Sequence, residues 1–401
     1  MAAGDGARGR MEGMKRGGGD GVVVDFFSDM KIAIVGIRGL PSSYSGYETF
    51  IGELAPRLVQ RGHEVTVYCR SALYQERPAE HLGIKLRYLP SIEHKFLSTL
   101  THSALATLAA SCGGFDLVFS VNAANGMFGF IPRIFGRPCV LNVDGMEWLR
   151  PKWNRIGRWV FKTSARLGTK FYHVIVTDAE EMHRLYAAQF GIDSTYIAYG
   201  ANIEPSVRPE VVKEYGLEQH GYYLIASRLI PDNNADLIVE AFVKSGSRRV
   251  LAIAGGADYK GNSVERIFID RLKALGNDRV KFLGHVGKPG HVQELHCNCF
   301  AYVHGHQFGG INPSLLKALG YGNLILALNT PFNAEVLESG KYGVLYEKRV
   351  EDLAAKMAAL EADLPRVGDF RKRAPERIRE RFTWERITDE YEELFKGLVK
   401  R

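Results

Sequence analysis

Apolar residues along the chain fall into short, almost unbroken runs, and between the runs they recur at helical spacing. Lys31-Ile32-Ala33-Ile34-Val35-Gly36 is such a run, as a strand buried on both faces requires. A helix is predicted from about Tyr47 to Arg61, with Phe50, Leu54 and Leu58 on one face and Gly62 at its end. Glu64-Val65-Thr66-Val67-Tyr68-Cys69 is the next strand. The pattern then predicts strands at 84–89, 116–121, 138–143 and 173–177, and helices near 97–110, 126–135, 155–171 and 179–190. Residues 202–220 are polar and contain proline, as a linker would be. A second series opens at Tyr222-Tyr223-Leu224-Ile225-Ala226, with strands near 249–254, 279–283, 299–303, 324–328 and 343–346 and helices between them. Helices at about 369–381 and 384–398 close the chain. Strands alternating with helices give parallel sheets. The expected class is therefore α/β: two doubly wound Rossmann-like domains facing each other across a cleft at their sheets' carboxyl ends. The expected division is 30–200, a linker at 201–220, a second domain at 221–382, and a helix at 383–401 that packs back toward the first domain.

Composition narrows the class without changing the architecture. A chain of 401 residues is too long for a single core. Its 46% hydrophobic and 24% charged content suits a globular protein, and no apolar run reaches the length of a membrane span. Residues 1–29 are rich in glycine and lack the apolar core of a signal peptide. They read as a disordered extension, with Met30 as a candidate start. Five cysteines, odd in number and mostly inside expected strands, read as reduced core thiols of a cytoplasmic protein. Cys297-x-Cys299 has no second pair, so no metal site is expected. The net charge of +7 calls for an anionic partner.

The candidate chemistry gathers at strand ends. After the run Cys299-Phe300-Ala301-Tyr302-Val303 come His304-Gly305-His306-Gln307-Phe308-Gly309-Gly310-Ile311-Asn312-Pro313-Ser314. Gly309 and Gly310 permit a tight turn, Asn312 is a good N-cap, Pro313 suits the first helical position, and Gly320 or Gly322 can end the helix. Such a helix start is either a phosphate site or an ordinary strand–helix connection. The opening strand–loop–helix lacks the G-x-G-x-x-G dinucleotide fingerprint, which disfavours an NAD oxidoreductase. Asp144 and Glu147, in the loop after the 138–143 strand, are the candidate acid–base groups; the alternative is a turn cap and a solvated charge. Arg228, at the end of the 222–226 strand, can grip a diphosphate bidentately. His304 and His306 share a face and read as lining a cleft.

One stretch carries a different signal. From Trp148 to Thr177 there is no acidic residue, but there are Arg150, Lys152, Arg155, Arg158, Lys162, Arg166 and Lys170, with Trp148, Trp153 and Trp159 among them. Arg155, Arg158, Lys162 and Arg166 lie on one helical face, while Ile156, Val160, Thr163 and Leu167 line another. A basic amphipathic helix suits an anionic bilayer surface; the alternative is a solvated basic face over a core face. No nucleic-acid motif accompanies the charge, so nucleic-acid binding is not expected.

Met30 to Pro41, Ser45-Gly46-Tyr47-Glu48-Thr49-Phe50, Asn142-Val143-Asp144-Gly145-Met146-Glu147-Trp148 and the 304–316 stretch together resemble family 4 retaining glycosyltransferases of the GT-B fold. The chain looks closest to the branch of rhamnosyltransferases of polysaccharide assembly, and the resemblance spans roughly 30–400. It implies a nucleotide-diphosphate sugar held mainly by the C-terminal domain, an acceptor held by the N-terminal one, and no metal or other cofactor. Gly46 would lie near the donor phosphates and Arg228 on the diphosphate, with Asn233 where many relatives place a lysine. Gly310, Ile311, Asn312, Pro313 and Ser314 would meet the leaving diphosphate. Asp144 stands where many relatives carry a histidine. The family's two glutamates, separated by seven intervening residues, read here as Gly309 and Lys317. Lys317 cannot accept hydrogen bonds from ribose hydroxyls. It meets the diphosphate instead, or the ribose is held otherwise, or donor binding is impaired. The expected activity is hexosyl-type transfer, plausibly of L-rhamnose from dTDP-rhamnose, to a lipid-linked saccharide. The expected location is the inner face of the plasma membrane, with Arg150, Lys152, Arg155, Arg158 and Lys162 as the membrane and acceptor face. The rivals are a non-catalytic nucleotide-sugar-binding protein and a sugar epimerase or phosphorylase of the same fold.

Overall fold

The computed structural model describes residues 29–41, 46–94, 97–150, 153–256 and 263–400. The expected disorder of the first residues, and Lys152, lie outside this set. The N-terminal domain runs β1 (Lys31–Val35), α1 (Gly46–Gln60), β2 (Glu64–Arg70), β3 (Glu80–His81), β4 (Ile84–Leu89), α2 (Leu97–Cys112), β5 (Leu117–Val121), α3 (Phe130–Ile134), β6 (Cys139–Val143), α4 (Arg155–Phe171), β7 (Val174–Thr177), α5 (Glu180–Phe190) and β8 (Thr195–Tyr196). Its eight strands are ordered β3-β4-β2-β1-β5-β6-β7-β8, all parallel except the β3–β4 pair.

The C-terminal domain runs β9 (Tyr222–Ala226), α6 (Ala235–Ser245), β10 (Val250–Ala254), α7 (Ser263–Leu275), β11 (Val280–Gly284), α8 (His291–Cys297), β12 (Ala301–His304), α9 (Pro313–Gly320), β13 (Ile325–Leu328), α10 (Pro331–Val336), β14 (Val344–Tyr346), α11 (Val350–Ala362) and α12 (Leu364–Arg381). Its six parallel strands are ordered β11-β10-β9-β12-β13-β14. Helices cover both faces of each sheet, which is why the central strands are mostly apolar: β5, β6, β12 and β13 are buried along their whole length, with Ser120, Asn142 and His304 their polar members.

Right-handed crossovers decide which helices share a layer. The steps β4–α2–β5, β5–α3–β6 and β6–α4–β7 all move the same way across the sheet, placing α2, α3 and α4 on one face. The step β1–α1–β2 moves the other way and puts α1 on the opposite face, beside α13 (Trp384–Val399). That last helix leaves the C-terminal domain and covers the N-terminal sheet. Phe395 and Tyr391 lie against Phe119, with ring centroids 5.3 and 5.4 Å apart, and Trp384 stacks on Phe50 at 6.3 Å. At its rim Arg61 pairs with Asp389 and Glu392, and His63 with Glu392. Burial alone would raise the Glu392 carboxyl, but Lys396, Arg61 and His63 hold it down at about 2.

Three segments differ from their sequence pattern. The helix expected over 126–135 is a tight turn over 123–128 followed by the short α3, because Gly126 packs directly on the Ser164 and Gly168 backbone of α4. α12 begins at Leu364, earlier than expected, because Asp363 caps the Arg366 amide and a proline occupies the first turn. The linker is anchored along its length. Glu294 of α8 accepts hydrogen bonds from Ser206 Oγ and from the Val207 and Arg208 amides, and Val211 and Val212 are buried.

Trp384→Ala is expected to cost about 3–5 kcal/mol of stability in urea unfolding. A loss below ~1 kcal/mol would make α13 an appendage instead of part of the N-terminal core.

Candidate active site

The carboxyl ends of the two sheets meet at a seam. On the C-terminal side, β12 runs into a turn at Gly309, whose φ of +116° favours glycine, and then into α9. Asn312 caps α9 by accepting from the Ser314 amide and hydroxyl. The Gly310 amide donates across the seam to the Asp144 carbonyl at 2.6 Å. A Cβ on Gly310 would overlap the carboxylate of Asp178, and one on Gly46 would sit 3.8 Å from Pro313 Cγ. The N-termini of α1 and α9 therefore face each other, and their positive dipole ends converge on one small region.

The N-terminal wall is built on Asp144. The Tyr47 hydroxyl donates to Asp144 Oδ1 at 2.6 Å and accepts from the Asp144 amide at 3.1 Å. Burial lifts the Asp144 carboxyl to about 6 against the pull of the Tyr47 hydrogen bond, with Glu147 adding to the rise and Arg150 opposing it. Glu147 is held by Arg150 Nε at 2.9 Å and Trp153 Nε1 at 3.0 Å. This ion pair turns Arg150 away from the expected membrane face and toward Gly309: a Cβ on that glycine would lie 3.6 Å from the guanidinium.

The C-terminal wall carries the histidines and Arg228. The rings of His304 and His306 stack at 4.4 Å, and the Tyr302 hydroxyl pairs with His304 Nδ1 at 3.0 Å. His304 is fully buried beneath His306, so it supports the cleft wall without lining open space. Burial keeps both imidazoles neutral, and for His306 the charges of Arg228 and Arg150 help bring it to about 3. Arg228 is exposed on its loop. Asn233 is buried and directs its amide to the Arg228 carbonyl at 2.8 Å, so it shapes the arginine's loop and does not reach outward. Lys317 is exposed one turn into α9 and lines a cavity of about 220 Å³ with Glu53, Glu204 and Tyr321. Arg155, Arg158 and Lys162 are exposed on α4, away from the seam. Among the described residues, no group of three or more His, Cys, Asp or Glu is placed to hold a metal ion.

Asp178 is the site residue that the sequence pattern did not single out. It follows β7, is fully buried, and its two carboxylate oxygens lack hydrogen-bond partners among the described residues. Burial, then the charges of Asp144 and Glu335, raise its carboxyl well above the usual range. It looks in sequence like a cap for α5, yet Glu335 from the opposite domain takes that role, accepting from the Glu180 and Glu181 amides at 2.9 and 3.2 Å. Its position at the carboxyl end of a parallel strand was the available signal.

Comparison with known proteins gives this geometry a family. Residues 45–202 match the model of the glycosyl transferase 4-like domain, and residues 207–380 match that of glycosyl transferases group 1. The chain belongs to the GT-B glycosyltransferases. No curated protein sequence matches it. The glycosyltransferase is similar in fold to sucrose-phosphate synthase from Thermosynechococcus elongatus, at 16% identity over 92% of this chain and 99% of that one, with a TM-score of 0.80. It is also similar to HepE from Anabaena, crystallised with UDP and glucose, at 17% identity over 92% of this chain and 100% of that one, with a TM-score of 0.76. A third similar structure, a glycosyltransferase from Rickettsia africae, shares 14% identity over 94% of this chain and 100% of that one, with a TM-score of 0.71.

The glycosyltransferase's seam has a pH signature. The folded chain keeps the Asp178 proton where the unfolded chain has lost it, so the stability this proton provides is full below the ordinary value of 3.8 and is lost as pH rises toward the raised folded value. Asp178→Asn mimics the protonated form. Its stability relative to wild type is expected to rise between about pH 5 and about pH 8 in urea titrations. A difference that stays constant over that range would show that the buried carboxyl is ionised and paired.

Proposed function

We propose that this glycosyltransferase moves a sugar from a nucleotide-diphosphate donor to a lipid-linked saccharide in cell-surface polysaccharide assembly. The observation that carries the reading is the Arg150 guanidinium beside the Gly309 turn, between two helix N-termini, with Arg228 of the facing domain close enough to His306 for its charge to act there. The leaving group in such a transfer is a diphosphate, and two guanidinium groups with oriented amides would stabilise its developing charge. Gly46 and the Gly310–Ser314 helix start border that site and would act on it through the helix dipole, since the Gly310 and Ser314 amides are engaged by Asp144 and Asn312. Asp144, lifted to about 6 and held by Tyr47, would bond a hydroxyl of the transferred sugar. The acceptor hydroxyl attacks from the face the diphosphate leaves, with retention. Structures of the similar HepE with UDP, and with UDP-glucose, support a nucleotide sugar as the co-substrate.

The proposed sugar is L-rhamnose, from dTDP-rhamnose; this rests on the sequence resemblance alone. The proposed place of action is the cytoplasmic face of the plasma membrane, with Arg155, Arg158 and Lys162 toward anionic headgroups. Among the described residues, no helix is long and apolar enough to cross a membrane. A second reading, nucleotide-sugar binding without turnover, is favoured by Lys317, which stands among Glu53 and Glu204.

Mass spectrometry of products from a panel of nucleotide sugars, with and without a lipid-linked acceptor, separates these readings. Acceptor-dependent transfer from one donor is expected. Conversion without acceptor would indicate an epimerase, and binding without product would favour the second reading. Arg228→Ala is expected to weaken donor binding by about 1.5–3 kcal/mol in calorimetry, and unchanged affinity would remove Arg228 from the site.

A further inference from the structure

The basic stretch of α4 is one part of a larger surface that cannot be read from any single segment. By the handedness argument above, α2, α3 and α4 form one layer on the N-terminal sheet, and both α2 and α4 pack against the 123–128 turn. Phe130 of α3 meets Phe171 of α4, with ring centroids 5.9 Å apart. The layer presents unusually large apolar groups to solvent. Ile134 is 74% exposed, Ile156 is 72% exposed and Trp159 is 67% exposed, with Phe135, Leu105 and Leu108 also exposed. On α2, Leu97, Leu105 and Leu108 are exposed on the outer face, with Thr101 between them taken by the Ile92 amide and the Leu97 carbonyl. On α4 Ile156, from the helix's apolar face, is outside; the small residues Ser164, Ala165 and Gly168 make the contact beneath.

Charge gives this surface its partner. Neither α2, the segment from Leu117 to Val143, nor that from Trp148 to Thr177 contains an aspartate or glutamate. Arg133, Arg155, Arg158 and Lys162 stand exposed among the apolar groups. Several large apolar side chains left exposed on one helical layer point to an interaction surface. A second copy of the chain would bring two like-charged faces together and would be repelled. A lamellar surface with anionic headgroups over an acyl interior satisfies both features at once.

We infer that the whole α2–α3–α4 layer is a membrane-insertion surface, in which the α3 tip and the exposed leucines of α2 enter the headgroup–acyl boundary while the arginines and Lys162 meet lipid phosphates. This deepens the membrane docking proposed above and rests on it. It differs in that binding has an apolar part that salt does not screen.

The test uses the full-length chain with vesicles of phosphatidylcholine, with and without an anionic phospholipid, at low and high salt. Wild type is expected to bind the anionic vesicles and to retain part of that binding at high salt. Brominated acyl chains are expected to quench Trp159, with Trp159→Phe as the control. A Leu108→Ser, Ile134→Ser, Phe135→Ser variant, altered only at exposed positions, is expected to lose about tenfold or more of the salt-resistant binding. It is expected to keep the wild-type near-ultraviolet circular dichroism and its nucleotide-sugar affinity. If this variant binds like wild type while reversal of Arg155, Arg158 and Lys162 to Glu abolishes binding, docking is purely electrostatic and the insertion inference is overturned. If wild type binds no vesicle, the docking reading falls with it. Concentration-dependent self-association lost in the serine variant would also overturn the inference and assign the face to a dimer.

Discussion

The constraint on which the rest of this glycosyltransferase depends is the absence of a side chain at Gly310. The Asp178 carboxyl occupies the space a Cβ would need, and the Gly310 amide reaches the Asp144 carbonyl at 2.6 Å. Those contacts bring the carboxyl ends of the two sheets together and set α1 and α9 end to end. Around them every charged group has an assigned environment. Burial raises the Asp178 carboxyl well above its ordinary value, Asp144 is tied to Tyr47, and Glu335 caps the α5 helix of the other domain. Of the seam's cations, Arg150 is paired with Glu147 through Nε and reaches Gly309 with its outer nitrogen, while Arg228 is exposed and its charge is felt at His306. Such an arrangement favours a ligand that brings its own negative charge.

The same logic of shared elements explains the C-terminal helix. α13 belongs to the sequence of one domain and the core of the other, with Trp384, Tyr391 and Phe395 filling space beside Phe50 and Phe119. A Cβ on Gly200 would overlap the Trp384 ring, so the linker and α13 are fitted to each other at the hinge. The Lys317 cavity opens at this junction, between α1, the linker and α9. Relative motion of the domains would therefore change the cavity and the seam together.

The architecture was legible in the sequence because parallel strands covered on both faces must be mostly apolar, and because Asn312-Pro313 writes the start of α9 in local chemistry. What escaped was set by contacts between distant segments. Asp178 has no local signal of function; its meaning comes from Gly310 in the other domain. Arg150 read as the first charge of a basic run, but Glu147 three residues earlier turns it inward. Asn233 read as a ligand contact and is instead bound to its own loop. Periodicity left the Ile156 face of α4 open between bilayer and core; the close approach of Gly126 and Gly168 sets small residues inward and Ile156 outward. Periodicity reports that a helix has faces; the neighbour decides which one is covered.

The most direct test of the central claim is a crystal structure of the chain with a nucleoside diphosphate. The diphosphate is expected between Arg150 and Arg228, within hydrogen-bond reach of both guanidinium groups and beside Gly46 and the α9 N-terminus. A diphosphate bound away from both arginines, in the Lys317 cavity or elsewhere, would contradict it.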